Sequence, residues 1–108
     1  SELARGQGPL TVPAPPWREF GRRRDGLAHA LEGGLWLHRF TLGGRRMAHL
    51  VSGDREALLA WGAAAGLDGR WIQYKPLRDP RTGERVPAWH WDLSGDRIPP
   101  HRGEGALT

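Results

Sequence analysis

The sequence predicts an α+β domain in which a small, open and mostly antiparallel sheet carries one main helix on one face. Three observations predict this fold. A glycine pair separates two apolar runs near the middle of the chain, which is typical of a β-hairpin. An alanine-rich segment with high helix propensity follows. Two further strand-like runs come after it, so the predicted order is β-β-α-β-β.

The hairpin is predicted from residues 35–40 and 47–51, which are rich in apolar and aromatic side chains, with Gly43-Gly44 at the turn. The main helix is predicted over residues 55–65. The side chain of Ser52 or Asp54 can accept hydrogen bonds from the free N–H groups of its first turn. A glycine follows at position 66, where helices commonly end.

Residues 71–75 and 88–93 are the predicted third and fourth strands. Pro76 ends the third strand because proline has no N–H to donate to a β-ladder. The residues between these strands, 76–87, contain three arginines and the turn-forming segment 79–83, so they are predicted to be a long loop.

Composition divides the chain into an extended arm rich in proline and glycine at 1–16, a single domain at 17–98 and an irregular tail at 99–108. An additional N-terminal helix is predicted within 17–31. Gly21 and Gly26 weaken that helix by up to about 1 kcal/mol each relative to alanine.

The chain of 108 residues has no cysteine, which excludes disulfide scaffolds, thiolate metal sites and cysteine nucleophiles. It shows neither a long apolar segment nor a signal-peptide pattern, so we expect a cytoplasmic protein without a membrane partner. The net charge is +4, and fifteen of the sixteen basic residues are arginine. This arginine excess suits phosphate recognition, although a GC-rich or thermophilic genome explains it equally simply, and we favour the genomic explanation.

The most informative segment is 88–93. Strand alternation places His90 and Asp92 on one face and the apolar residues between them on the other. His49 shares a face of the second strand with Met47 and Val51, where a partnered core histidine is the favoured interpretation. If these two strands face one pocket, His49, His90 and Asp92 are candidate catalytic residues and candidate ligands of a divalent metal. The simpler interpretation, which we favour, is a hydrogen-bonded pair of His90 and Asp92, so no cofactor is assigned.

Several basic residues are candidates for binding nucleic acid or phosphate, either in the arginine run near residue 23 or close to the predicted strands. They are Arg22, Arg23, Arg24, Arg46, Arg70 and Lys75. Six tryptophans are also present, and exposure of Trp36, Trp89 or Trp91 beside arginines would favour base stacking. We expect at least four of the six to serve mainly in packing.

Several segments of the chain, in this order, resemble a known family. They are Arg46-Met47-Ala48-His49-Leu50-Val51, Asp54-Arg55-Glu56, Leu58-Leu59, Gly66-Leu67-Asp68, Arg70-Trp71-Ile72-Gln73 and His90-Trp91-Asp92. Together they resemble the small bacterial and phage domain of unknown function family 4031 (DUF4031), over about residues 35–93. The resemblance implies the signature positions His49, Trp71, Gln73, His90 and Asp92, and it implies no activity. The loop 76–87 is longer than the resemblance implies, the tail replaces a further helix, and the first thirty residues lie outside the likeness.

Three classes of function follow from these features. The first is a nucleic-acid-associated binding or accessory protein that uses arginine and exposed tryptophan. The second is a metal-dependent phosphoesterase or nuclease with a His-His-Asp site. The third is an interaction or assembly component that binds a protein partner through the N-terminal arm or a sheet edge. On sequence alone we favour the first and leave open whether the protein is an enzyme.

Overall fold

A computed structural model describes residues 15–100, which form two α-helices, a five-stranded sheet and a separate two-stranded sheet. The elements are β1 (Trp17–Arg18), α1 (Arg23–Leu31), β2 (Leu35–Leu42), β3 (Arg45–Ser52), α2 (Arg55–Ala64), β4 (Gln73–Tyr74), β5 (Leu77–Arg78), β6 (Arg85–Val86) and β7 (Trp89–Ser94). Short 3₁₀ helices occupy Gly69–Trp71 and Gly95–Arg97.

The main sheet has the strand order β1-β2-β3-β7-β4, and all its pairs are antiparallel except β1 with β2. The predicted α+β class and open, mostly antiparallel sheet are therefore confirmed. The last long strand, β7, lies beside β3 and pairs with it from Met47↔Ser94 to Ser52↔Trp89. This crossover brings the two strands that carry the candidate site residues into direct contact.

The two helices pack on opposite faces of the sheet. Helix α2 places Leu58 and Trp61 in the larger core, against the face that carries Leu50 and Trp91. Helix α1 covers part of the other face, where Ala30 joins a smaller core of buried residues with Trp36 and Val51. The expected additional helix is thus present, and it gives the second face a partial cover that a single-helix arrangement lacks.

Turn and cap residues act as predicted around the hairpin and the main helix. Gly43 and Gly44 both have positive φ, 58° and 80°, as a two-residue hairpin turn between β2 and β3 requires. The side chain of Asp54 caps α2 by accepting a hydrogen bond from the N–H of Ala57 at 3.1 Å. Gly66 follows the helix with φ of 80°, and the N–H of Leu67 donates to the carbonyl of Gly62 at 2.8 Å.

Three elements differ from the sequence prediction. Helix α1 begins at Arg23, because Trp17–Arg18 pairs in parallel with β2 and so leaves the helical path. The predicted strand 71–75 shortens to β4, because the Asp68 side chain accepts from the N–H of Arg70 at 2.9 Å and holds the preceding residues in a 3₁₀ helix. The predicted loop 76–87 contains the β5–β6 hairpin.

Residues 1–14 of the predicted arm (1–16) and residues 101–108 of the predicted tail (99–108) lie outside the described residues. The edge strands of the main sheet are β1 and β4, and each has two residues. Neither helix within residues 15–100 combines the length and hydrophobicity needed to cross a bilayer.

Candidate metal centre

Three neighbouring strands bring polar side chains together on the sheet face that α1 partly covers. His49 of β3 stands directly opposite Asp92 of β7, and Val51 stands opposite His90. On the other side of β7, Gln73 of β4 is the partner of His90. Because directly paired residues point to the same face of a sheet, these polar side chains converge. The predicted alternation within 88–93 is confirmed, and His49 joins that polar group instead of the core.

The Asp92 carboxylate lies at the centre of this group. Its Oδ1 is 2.9 Å from Nε2 of His49 and 3.3 Å from Nε2 of His90. Its Oδ2 accepts a hydrogen bond from the side-chain amide of Gln73. The three residues His49, His90 and Asp92 each offer one ligand atom, and these atoms all lie within 4.8 Å of one another. We call these three residues the His-His-Asp cluster.

The cluster lines a cleft of about 300 Å³ between the N-terminus of α1 and the segment that joins β4 to β5. We call this the histidine cleft, and its lining is Arg23, Trp36, His38, His49, Val51, Gln73, Lys75, Leu77, His90 and Asp92. The His90 side chain is 11% exposed, whereas that of Asp92 is 43% exposed. The cluster is therefore buried at His90 and accessible to solvent at Asp92.

Burial lowers the pKa of both cluster histidines. For His49 the burial of the ring is the largest cause, and the nearby His90 adds to it. Burial likewise lowers the pKa of His90, against the opposing attraction of Asp92. The positive charge of Lys75 lowers both values further. Both imidazoles are thus kept neutral, which is the form that binds a metal ion.

A third histidine of the cleft was not among the candidate site residues. His38 of β2 pairs with His49 across the sheet, and the rings of Phe40 and His49 are 4.8 Å apart beside it. Burial, and the positive charge of Arg23, lower the pKa of His38. The sequence contained a signal for this meeting, because a two-residue turn at Gly43-Gly44 pairs residue 42 with residue 45 and therefore His38 with His49.

Acid is expected to destabilise the fold between about pH 7 and pH 5. Burial lowers the pKa of His29, His38, His49 and His90, so each folded value lies below the unfolded value of about 6.5. As the pH falls below about 6.5, the unfolded chain therefore binds protons first and the free energy of unfolding decreases. Urea unfolding in EDTA at several pH values measures this slope.

A His29→Asn/His38→Asn double variant should show a shallower slope over the same range. Ordinary carboxylates titrate near pH 4 and do not interfere. An unfolding free energy that stays constant or increases toward pH 5 would contradict the burial of these rings.

The candidate phosphate-binding cations do not form one surface. Arg23 and Lys75 line the histidine cleft, whereas Arg46 lies on the opposite face of β3 with Ala48 and Leu50. Arg70 lines a neighbouring hollow and is paired with Asp68 at 2.8 Å. The remaining two are exposed near the start of α1, and they are Arg22, which pairs with Asp25, and Arg24.

Five of the six tryptophans pack, which agrees with the expectation of at least four. Trp36 and Trp91 are buried, so they present no open face for a base. Trp89 is half-buried against the core. The exposed tryptophan is Trp71, at 55%, which the sequence singled out only through the family resemblance.

Comparisons with protein-family profiles, with curated proteins and with solved structures found no match to this chain.

Proposed function

We propose that this domain binds a divalent transition-metal ion at the His-His-Asp cluster and hydrolyses phosphate esters in the histidine cleft. One observation carries the proposal. Two imidazoles and a carboxylate place their ligand atoms within 4.8 Å of one another, in a cleft whose lining also holds Arg23 and Lys75. The cytoplasm remains the expected compartment, and membership of the DUF4031 family remains a prediction.

Two of the three ligand-atom separations in the cluster suit a metal ion. Ligands bound at about 2.1 Å on adjacent corners of a coordination polyhedron are roughly 3 Å apart. The separations of Asp92 Oδ1 from the two Nε2 atoms, 2.9 and 3.3 Å, are close to that value. An ion held by two histidines and one carboxylate would keep other positions open for water and substrate.

Gln73 supports the ligand role of Asp92. Its amide donates a hydrogen bond to Oδ2 of the carboxylate, which leaves Oδ1 turned toward the histidines. Such outer partners orient metal ligands and commonly change metal affinity or activity by about 10- to 100-fold when they are removed.

The cleft also provides positively charged side chains that can bind a phosphate group. A bound divalent ion would lower the pKa of a water ligand and so supply a nucleophile near neutral pH. Arg23 and Lys75 can bind the non-bridging oxygens and offset the negative charge that develops there. In this hydrolysis the water oxygen would bond to phosphorus as the bond from phosphorus to the ester oxygen breaks, and the water proton would pass to the leaving oxygen. The neutral imidazole of His38, which lines the same cleft, can carry that proton.

Thermal unfolding of metal-stripped protein with added Mn²⁺, Zn²⁺ or Mg²⁺ tests the metal site. A ligand of the native state at 100 times its Kd stabilises the fold by about 2.7 kcal/mol, which corresponds to on the order of 10 °C in the midpoint of a domain this size. We expect such a rise in the wild type for at least one ion and its loss in His90→Ala.

His29→Ala is the matched control, because His29 has a lowered pKa like His90 but lies on α1 and outside the cluster. It should lower the starting midpoint and retain the metal-dependent rise. An equal rise in His90→Ala and the wild type would contradict the site. The absence of a rise with all three ions would make the cluster a purely structural hydrogen-bond network.

A further inference from the structure

A second concave surface adjoins the histidine cleft along β7. Strand β4 pairs with β7 only at Trp89 and His90, and a hollow of about 540 Å³ lies beside the following residues of β7. We call this the tryptophan hollow, after Trp71 in its wall. Gln73 and Asp92 line both the hollow and the histidine cleft. The hydrogen-bonded side chains of Gln73 and Asp92 therefore form the wall shared by the two surfaces, and a nucleic-acid strand that lies over this pair would reach from the hollow to the proposed metal site.

The hollow holds an exposed aromatic ring in contact with one arginine, and a second arginine also lines the hollow. Trp71 is 55% exposed, and the guanidinium carbon of Arg97 lies 5.6 Å from its ring centroid. Arg70 precedes Trp71 and is held by Asp68 through hydrogen bonds to both carboxylate oxygens. An indole ring left in water beside guanidinium groups is the arrangement on which proteins stack unpaired bases.

The charge around the two concave surfaces favours a polyanion over a neutral peptide. Within residues 15–100, Arg23, Lys75 and Arg97 take part in none of the ion pairs. Arg97 lines the hollow and the other two line the cleft. A strand of nucleic acid offers both partners, a base for the ring and phosphates for the free cations.

We propose that the tryptophan hollow binds single-stranded nucleic acid, with a base stacked on Trp71 and a neighbouring phosphodiester at the His-His-Asp cluster. The inference rests on the proposed function and names its substrate class. The strand must be single because the faces of bases inside a duplex are covered by their neighbours. Arg97 and Lys75 contact the phosphates on either side of the stacked nucleotide.

Fluorescence anisotropy with a labelled thymidine oligonucleotide, in EDTA, measures this binding apart from metal binding. Trp71→Ala is expected to weaken binding by about 5- to 150-fold, the range reported by alanine substitution for one stacked base. Tyr74→Ala is the matched control, since Tyr74 is an aromatic residue of similar exposure, 59%, that lines neither surface. It should change affinity by no more than about twofold, because a single exposed side chain away from the strand contributes little.

Trp71→Ala separates this inference from the proposed function, because Trp71 lies outside the His-His-Asp cluster. Weaker oligonucleotide binding by Trp71→Ala, together with a metal-dependent thermal shift equal to that of the wild type, supports both. In the wild type, a metal-dependent shift without any oligonucleotide binding overturns the substrate class and leaves the metal site standing. Oligonucleotide binding by the wild type without a metal-dependent shift supports the hollow and overturns the metal site.

Competition experiments complete the test. An unlabelled single strand, either DNA or RNA, should displace the labelled oligonucleotide, and the stronger competitor identifies the natural source. A duplex of the same sequence that competes equally well would overturn the stacking role of Trp71. Equal losses in Trp71→Ala and Tyr74→Ala would overturn it as well.

Discussion

Replacing Asp92 with asparagine is expected to lower metal-stimulated hydrolysis of a chromogenic aryl phosphodiester by at least about 100-fold. Asparagine keeps the shape of the side chain but removes the negative charge. Oδ1 of Asp92 lies within 3.3 Å of Nε2 of both cluster histidines. The substitution therefore weakens the proposed metal ligand that stands next to both of the others. Initial rates at saturating Mn²⁺ measure the effect.

Two further variants test whether the loss of activity is specific to Asp92 and its hydrogen-bond partner. Gln73→Met removes the hydrogen bond to Oδ2 of Asp92 and should lower the rate by about 10- to 100-fold, as loss of an outer partner does. Asp96→Asn makes the same chemical change at an exposed aspartate in the 3₁₀ helix after β7, and its rate should equal that of the wild type. Similar rates for Asp92→Asn and Asp96→Asn would exclude the cluster from catalysis.

Strand periodicity was sufficient to predict which candidate residues share a face. The pattern of 88–93 placed His90 and Asp92 together, and the structure has both on the cleft side while Trp91 and Leu93 enter the core. The meeting of His49 with Asp92 needed more information. It depends on β3 and β7 being neighbours although α2, β4, β5 and β6 separate them in sequence, and local patterns do not encode such a long-range pairing.

The same periodicity separates the phosphate-binding candidates from one another. Arg46 is three residues from His49 in one strand, so alternation alone sends the two side chains to opposite faces. Arg23 reaches the cleft for a tertiary reason, because α1 packs on Trp36 and the guanidinium carbon of Arg23 lies 5.7 Å from that ring. Arginine content alone does not distinguish these cations from one another, whereas the sheet face that α1 partly covers decides which of them line the cleft.

The role of Gln73 illustrates a second limit of sequence reasoning. The residue lies in a strand of two residues that the pattern extended to five, and no charge or spacing marks it as important. Its significance depends on the register of β4 against β7, which sets it opposite His90 and lets its amide reach Asp92. The family resemblance singled it out as a signature position, and the geometry supplies a physical role for it.

Trp91→Ala is expected to lower the free energy of unfolding by about 3–5 kcal/mol, the usual cost of truncating a buried tryptophan. Trp91 is 2% exposed, and its indole N–H donates to the carbonyl of Leu58 at 2.8 Å. A Cβ built on Gly62 would lie 2.3 Å from the ring, so α2 approaches Trp91 closely through a glycine. Urea unfolding at pH 7 measures the change. Because native domains are stable by only about 5–15 kcal/mol, the variant should be near its limit of stability.

Trp71→Ala makes the identical change at an exposed position and is the matched control for Trp91→Ala. The substitution removes the contact with Arg97 and the packing of a side chain that is more than half exposed, so the free energy of unfolding should fall by no more than about 1 kcal/mol. The sequence presents both residues as tryptophans within predicted strands, yet only Trp91 holds α2 against β7, which carries His90 and Asp92. A Trp91→Ala variant as stable as Trp71→Ala would mean that α2 does not pack on β7. If the expected difference is found, the loss of oligonucleotide binding in Trp71→Ala can be attributed to the missing ring, because that variant remains folded.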